Sequence, residues 1–226
     1  MKIVGFGDSF ITACTYDYVY TNLVAKHFNA EFESYAYQGS GAWDAYFQLE
    51  KYLKDNPAPD IILFAWSAAG RLYHPNVRDI CYNSAVVNPV EPETPAVKIF
   101  MEAAKAYYEY LHDGHKTDME HSCLYYWIDN VLVPQYPNTK FIHMWGFPKN
   151  YCDWGDTTQM EYLHTFTTAV EIRPALIHLS YLDGWPKDMT KESRPNHLTP
   201  KMHKILADNL ITTIENYEPK LRTITL

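Results

Sequence analysis

The 226-residue sequence is short of several things, and each shortage removes a class of protein. No apolar run approaches the roughly 18–20 residues that a membrane-spanning helix needs. Basic residues are outnumbered, 19 Lys and Arg against 27 Asp and Glu, for a net charge of −8. A nucleic-acid surface needs a basic face, so that class of partner is not expected. Cysteine is scarce: Cys14, Cys81, Cys123 and Cys152 form no C-x-x-C pair and no zinc-ligand spacing. They read as free thiols in a reducing compartment. Neither G-x-G-x-x-G nor a P-loop occurs, and Gly5-x-Gly7 is only a fragment of the former. Met1-Lys2 runs straight into a strand-like pentad too short for the apolar segment of a secretory signal, with no small-residue cleavage site behind it. A cytoplasmic protein is the expectation.

What is present is a full core's worth of apolar residues, 47% of the chain, including 19 Tyr, 10 Phe and 6 Trp. One domain over 1–226 is expected, with a loop and helical insertion around 67–135. Lys2–Phe6 reads as a buried strand, Tyr16–Phe28 as a helix, Phe32–Tyr37 as a strand, and Ala42–Leu53 as a helix stopped by Asn56-Pro57-Ala58-Pro59. Asp60–Trp66 (DIILFAW) is a continuous apolar run of the kind a parallel sheet buries on both faces. After a proline-rich stretch come two helices, about Ala96–Leu111 and Met119–Val133, broken at His112-Asp113-Gly114. Lys140–Trp145 and Ala175–Leu182 read as further strands, with a short helix from Thr157 between them, and Pro200–Tyr217 as the final helix. This order predicts an α/β protein: a central, mainly parallel sheet of about five strands with helices on both faces. Sites in such sheets lie beyond the carboxyl ends of the strands. The polar loops Gly7–Thr12, Gln38–Gly41 and Ser67–Arg71 sit there, and Asp183–Leu198 leads into the last helix.

Ser9, just past the first strand, is a candidate nucleophile if a base reaches it. His197, in the loop before the last helix, is a candidate base, and Gly41 offers an unhindered backbone N–H. With these residues the chain resembles the SGNH, or GDSL-like, hydrolases, which are esterases and lipases with a three-layer, flavodoxin-like α/β fold. Gly7-Asp8-Ser9-Phe10 is similar to the family's first block, with Phe for Leu. Gln38-Gly39-Ser40-Gly41 is similar to the second, whose glycine N–H serves the oxyanion hole; that role falls on Gly41, with Gly39 as the fallback. Asn196-His197-Leu198-Thr199-Pro200 is similar to the fifth block, which carries the histidine.

The resemblance has two departures. The third block's oxyanion asparagine falls on Ala69, leaving Ser67 or Arg71 as substitutes, and loss of one such donor typically costs roughly 10²–10³ in kcat. The acid three residues before the histidine is replaced by Arg194. Glu192, the nearest carboxylate, Asp188, Asp183 or a backbone carbonyl would orient the imidazole instead. The resemblance therefore implies a serine esterase using a Ser9–His197 dyad or a triad with Glu192, needing no metal or cofactor. Its substrate would be a small-molecule or carbohydrate ester such as an O-acetylated sugar, with Trp43 and Trp66 lining the pocket. The rival is a catalytically degenerate binding or structural module on the same fold. The remaining histidines read blandly. His112, His115 and His121, with Asp118, fit no compact ligand set; His143 and His178 fall inside strands; His203, six residues after His197, is off its helical face.

Overall fold

The computed structural model describes residues 1–74, 77, 80–81, 83–87, 94–147, 170–173, 175–182, 194–218 and 223–225. Its centre is a six-stranded, wholly parallel sheet in the order β2-β1-β3-β4-β5-β6, built from β1 (Lys2–Phe6), β2 (Glu31–Ser34), β3 (Ile61–Trp66), β4 (Lys140–Trp145), β5 (Val170–Arg173) and β6 (Thr223–Thr225). Every residue of β3 is buried, as the unbroken apolar run requires for a strand covered on both faces.

The chain steps outward from β1 to β2 and then back across to β3, so right-handed crossovers place the intervening helices on opposite faces. On one face α1 (Tyr20–His27) packs against α6 (Pro200–Glu215). On the other α2 (Ala42–Asp55) buries Ala45, Leu49, Tyr52 and Leu53 against β1 and β3. Helices α3 (Pro95–Tyr110) and α4 (Gly114–Trp127) lie in the chain between β3 and β4. Around Tyr108 and Ala104 of α3 a second apolar cluster forms with Val77, Ile80 and Ala85. Among the described residues no helix is long and apolar enough to cross a membrane.

Two expectations need correction. Ala175–Leu182 is not a strand: Leu176–Leu182 is helix α5, burying Leu176, Ile177, Leu179 and Ser180 while His178, Tyr181 and Leu182 face water. A short apolar run carries too little periodicity to separate the two structures, and here the i, i+1, i+3, i+4 burial is helical. The fifth strand is instead Val170–Arg173, and a sixth, Thr223–Thr225, closes the edge beyond it. The helix expected from Thr157 lies outside the described residues.

β1 ends in a contact only glycine permits. Gly7 has φ +144°, and a Cβ there would stand 2.4 Å from the Ala65 carbonyl oxygen and 2.8 Å from Ala65 Cβ on the neighbouring strand. Gly114, at the start of α4, has nothing within 4 Å of the equivalent point. Gly7→Ala is therefore expected to lower the unfolding free energy by about 3 kcal/mol or more. Gly114→Ala is expected to raise it by about 0.5–1 kcal/mol, through a less flexible unfolded chain. Urea denaturation of the two variants beside the parent checks both signs.

Candidate functional site

The three loops at the carboxyl ends of β1, β2 and β3 meet beside the crevice between β1 and β3, where the sheet changes winding direction. Gly7 carries the chain out of β1, and its carbonyl accepts the Ser40 hydroxyl at 2.7 Å, tying the first loop to the second. Asp8 is fully buried, and its Oδ1 accepts the Phe10 N–H at 3.1 Å. The Ile11 N–H returns to the Asp8 carbonyl, so residues 8–11 turn tightly with Ser9 half-buried at the crest. Asp8 thus shapes the loop. Burial raises its carboxyl pKa, while the Arg71 charge, the Phe10 N–H and the Ser67 hydroxyl pull the other way.

Ser9 Oγ stands 2.8 Å from His197 Nε2. The histidine is delivered by a short turn, Pro195–His197, in which two successive residues, Asn196 (φ +49°) and His197 (φ +60°), are left-handed. Such a conformation costs a non-glycine residue roughly 1–2 kcal/mol and persists only where the surroundings hold it. Here they do. Ser180 of α5 donates to the His197 carbonyl at 2.7 Å, Leu198 is completely buried, and the Phe10 ring packs on the imidazole with centroids 5.0 Å apart. Thr199 then caps α6 by accepting the Met202 N–H, and Pro200 occupies its first turn.

Gly41 is the residue before α2, so its N–H lies at the positive end of that helix. The Gly41 N–H donates to Asp44 Oδ2 at 3.4 Å, a long hydrogen bond within the first turn of α2. Arg71 reaches across from the third loop and donates through Nη1 to the Ser40 carbonyl at 3.1 Å. That carbonyl and the Gly41 N–H belong to one planar peptide and point in opposite directions. Gripping the oxygen therefore fixes the aim of the N–H. The guanidinium also lies 3.7 Å from Asp8 Oδ2 and over the Phe147 ring. Ser67 is buried below the site.

The third loop, without its asparagine, is held from behind by the inserted helices. Tyr108 of α3 donates its hydroxyl to the Gly70 carbonyl, and His121 of α4 hydrogen-bonds the Ala69 backbone while its Nδ1 sits 3.0 Å from the Tyr125 hydroxyl. The sequence assigns His121 no role: Tyr125 is one helical turn away, but the Ala69 backbone that it holds is 52 residues earlier and leaves no local signal. Trp66 is a correction. It is fully buried, donates Nε1–H to His143 Nδ1 at 3.0 Å and packs on Tyr125 and Trp145, so it faces the core and not a ligand. Trp43 is half-buried, in line with exposed Phe47 and Tyr73 at ring separations of 6.0 and 4.9 Å. Glu192, Asp188 and Asp183 lie outside the described residues. His203, read as off the histidine's face, is wholly buried. Among the described residues no three His, Cys, Asp or Glu side chains form a metal-holding group.

Comparison with solved structures bears on the fold. An acetyl xylan esterase superposes with a TM-score of 0.50 at 14% identity, over 94% of this chain and 99% of that one. A psychrotrophic esterase from Pseudoalteromonas sp. gives 0.49 at 12% identity, over 96% and 97%. A carbohydrate esterase gives 0.45 at 14%, over 96% and 69%. No protein-family model and no curated protein sequence matches the chain. With the strand order above, the likeness establishes an SGNH-hydrolase-like fold.

Burial lowers the His121 pKa to about 4. Below pH 6.5 the unfolded chain accepts a proton that folded His121 refuses, so its contribution to stability falls as the pH drops towards 4. Asp8 acts in the opposite sense, since its raised pKa favours the folded state at low pH, but its share is common to parent and variant. Between pH 7 and 4.5 the parent should therefore lose about 2 kcal/mol more unfolding free energy than His121→Gln. Equal losses in urea titrations would contradict this.

Proposed function

We propose that the protein is a serine esterase with Ser9 as nucleophile and His197 as general base. The observation that carries this reading is the 2.8 Å contact between Ser9 Oγ and His197 Nε2 on a half-buried, reachable serine. A degenerate binding module would have no need to hold two strained, left-handed residues in register with that hydroxyl.

Ser9 Oγ attacks the acyl carbon as His197 Nε2 takes the hydroxyl proton. The negative charge that develops on the former carbonyl oxygen is received by the backbone N–H groups of Ser9 and Gly41, the latter exchanging its long hydrogen bond to Asp44 Oδ2 for the stronger one to the oxyanion. Arg71, through the Ser40 carbonyl, keeps the Gly41 N–H aimed and polarises its peptide, which strengthens the donor. This offsets part of what Ala69 lacks as a side-chain donor. His197 then passes its proton to the leaving alcohol oxygen, and the acyl group remains on Ser9. Water attacks the acyl-enzyme with His197 again as base, releasing the acid and restoring the serine. The group that steadies the imidazole from its other side is Glu192 or a backbone carbonyl in this scheme.

For substrate we propose an O-acetylated carbohydrate. Trp43 stands two residues from Gly41 and opens a row with Phe47 and Tyr73, flat apolar faces suited to a sugar ring. That an acetyl xylan esterase shares the fold supports the same class.

The test is a panel of esters. p-Nitrophenyl acetate and acetylated xylo-oligosaccharides should be turned over, and long-chain p-nitrophenyl esters poorly. Ser9→Ala should lower kcat by at least about 10³-fold. Trp43→Ala should raise KM for the acetylated oligosaccharide by roughly 3- to 10-fold, the equivalent of one aromatic contact, and leave p-nitrophenyl acetate unaffected. A preference for long-chain esters would overturn the substrate assignment while leaving the esterase intact.

A further inference from the structure

The Ser9 loop and the His197 loop are joined by two sets of contacts besides the catalytic hydrogen bond. The first is direct. Asn196 Nδ2 donates to the Ser9 carbonyl at 2.9 Å and to the Thr12 carbonyl at 3.1 Å, with Thr12 Oγ1 at 3.3 Å. Its left-handed backbone is one that asparagine tolerates better than most residues. The second passes through the core. The N–H of Tyr20, at the start of α1, donates to His203 Nδ1 at 3.2 Å, which forces the ring proton onto Nε2. That nitrogen donates to the Pro195 carbonyl at 3.0 Å. Tyr20 in turn reaches the nucleophile's loop, its hydroxyl donating to the Phe10 carbonyl at 2.9 Å. His203 is wholly buried between the rings of Tyr18 and Tyr20 and has no path to substrate.

We propose that Asn196 and His203 form a two-point latch that sets the Ser9–His197 distance, acting as positioning residues. The proposal rests on the esterase reading only for its consequence in rate. As a statement about geometry it stands on the hydrogen bonds alone. The two routes differ in kind. Asn196 binds the loops edge to edge, and His203 anchors both to helices α1 and α6, which pack on each other. Together they close a ring: Ser9 and Phe10, Tyr20, His203, Pro195, Asn196, and back to Ser9. A ring of hydrogen bonds resists a shift of either loop, whereas a single contact would let the histidine pivot about Ser9.

The experiment uses the full chain, with ¹⁵N-imidazole NMR of His197 as the first readout and the rate of Ser9 phosphonylation by a fluorophosphonate as the second. The variants are His203→Phe, which keeps a buried ring and removes both hydrogen bonds; His203→Gln, which retains a donor and an acceptor; and Asn196→Gly, which keeps the left-handed backbone and removes the amide. The latch predicts that His203→Phe and Asn196→Gly each lose the hydrogen-bonded His197 Nε2 signal. Each should slow phosphonylation by roughly 10-fold or more, as displacements of under an ångström do in preorganised sites, with KM for p-nitrophenyl acetate unchanged. His203→Gln should recover most of both. Should His203→Phe fail to fold, His203→Gln and Asn196→Gly decide the matter by the same signals. Folded His203→Phe and Asn196→Gly proteins with parental His197 signals and rates within about 2-fold would overturn the latch. A parent whose Ser9 is not phosphonylated, but whose His197 signal is lost in both variants, would overturn the esterase reading and leave the latch standing.

Discussion

A hydrogen bond between residues 188 positions apart, Ser9 Oγ to His197 Nε2, is the contact around which this molecule is organised. Neither partner is held by its own local structure alone. Ser9 rides on a four-residue turn that exists because Gly7 presses against β3 and Asp8 folds back on Phe10. His197 stands on a backbone that disfavours it, and its surroundings supply the compensation: Ser180 on its carbonyl, Phe10 against its ring, Leu198 in the core. The parallel sheet makes the meeting possible by bringing the ends of β1, β2 and β3 to one edge, with α6 following the histidine closely enough to share the face with α1.

Two groups that the SGNH resemblance leads one to expect are replaced, and in the third block the replacement changes the physics. Where a side-chain amide would point at the oxyanion, Ala69 offers only backbone, and that backbone is pinned from behind by His121, with Tyr108 on the next residue. The loop's contribution moves to Arg71, whose cation grips the far end of the Ser40–Gly41 peptide. In the proposed scheme a direct donor gives way to one that acts by aiming and polarising another. Buried Asp8 beside the guanidinium balances the charge that this brings into a confined space.

Much of the fold is legible in the sequence. β3 is a continuous apolar run, β1 and β4 are largely apolar, and α2 and α6 carry stripes and boundary signals that local physics reads directly. Ser9 and His197 stand in local patterns, a serine two residues past a glycine at the end of a strand and a histidine before a helix. What was not legible depends on contacts distant in sequence. ALIHLSYL satisfies strand and helix equally until burial distinguishes them, and VEIR and TIT are too short to declare themselves. Trp66 looks like a ligand-binding aromatic at a strand end, and only the packing of Tyr125 and Trp145 on it shows otherwise. His203 is the clearest case: its position on the helix says nothing, and its role is defined by Tyr20, 183 residues earlier.

The central claim is that Ser9 is activated by His197. Intact-mass measurement after exposure to a fluorophosphonate, with the adduct mapped by peptide sequencing, tests it most directly. The account predicts one adduct, on Ser9, absent in Ser9→Ala and in His197→Ala. A folded parent protein that takes up no adduct, or a His197→Ala protein labelled as fast as the parent, would contradict it.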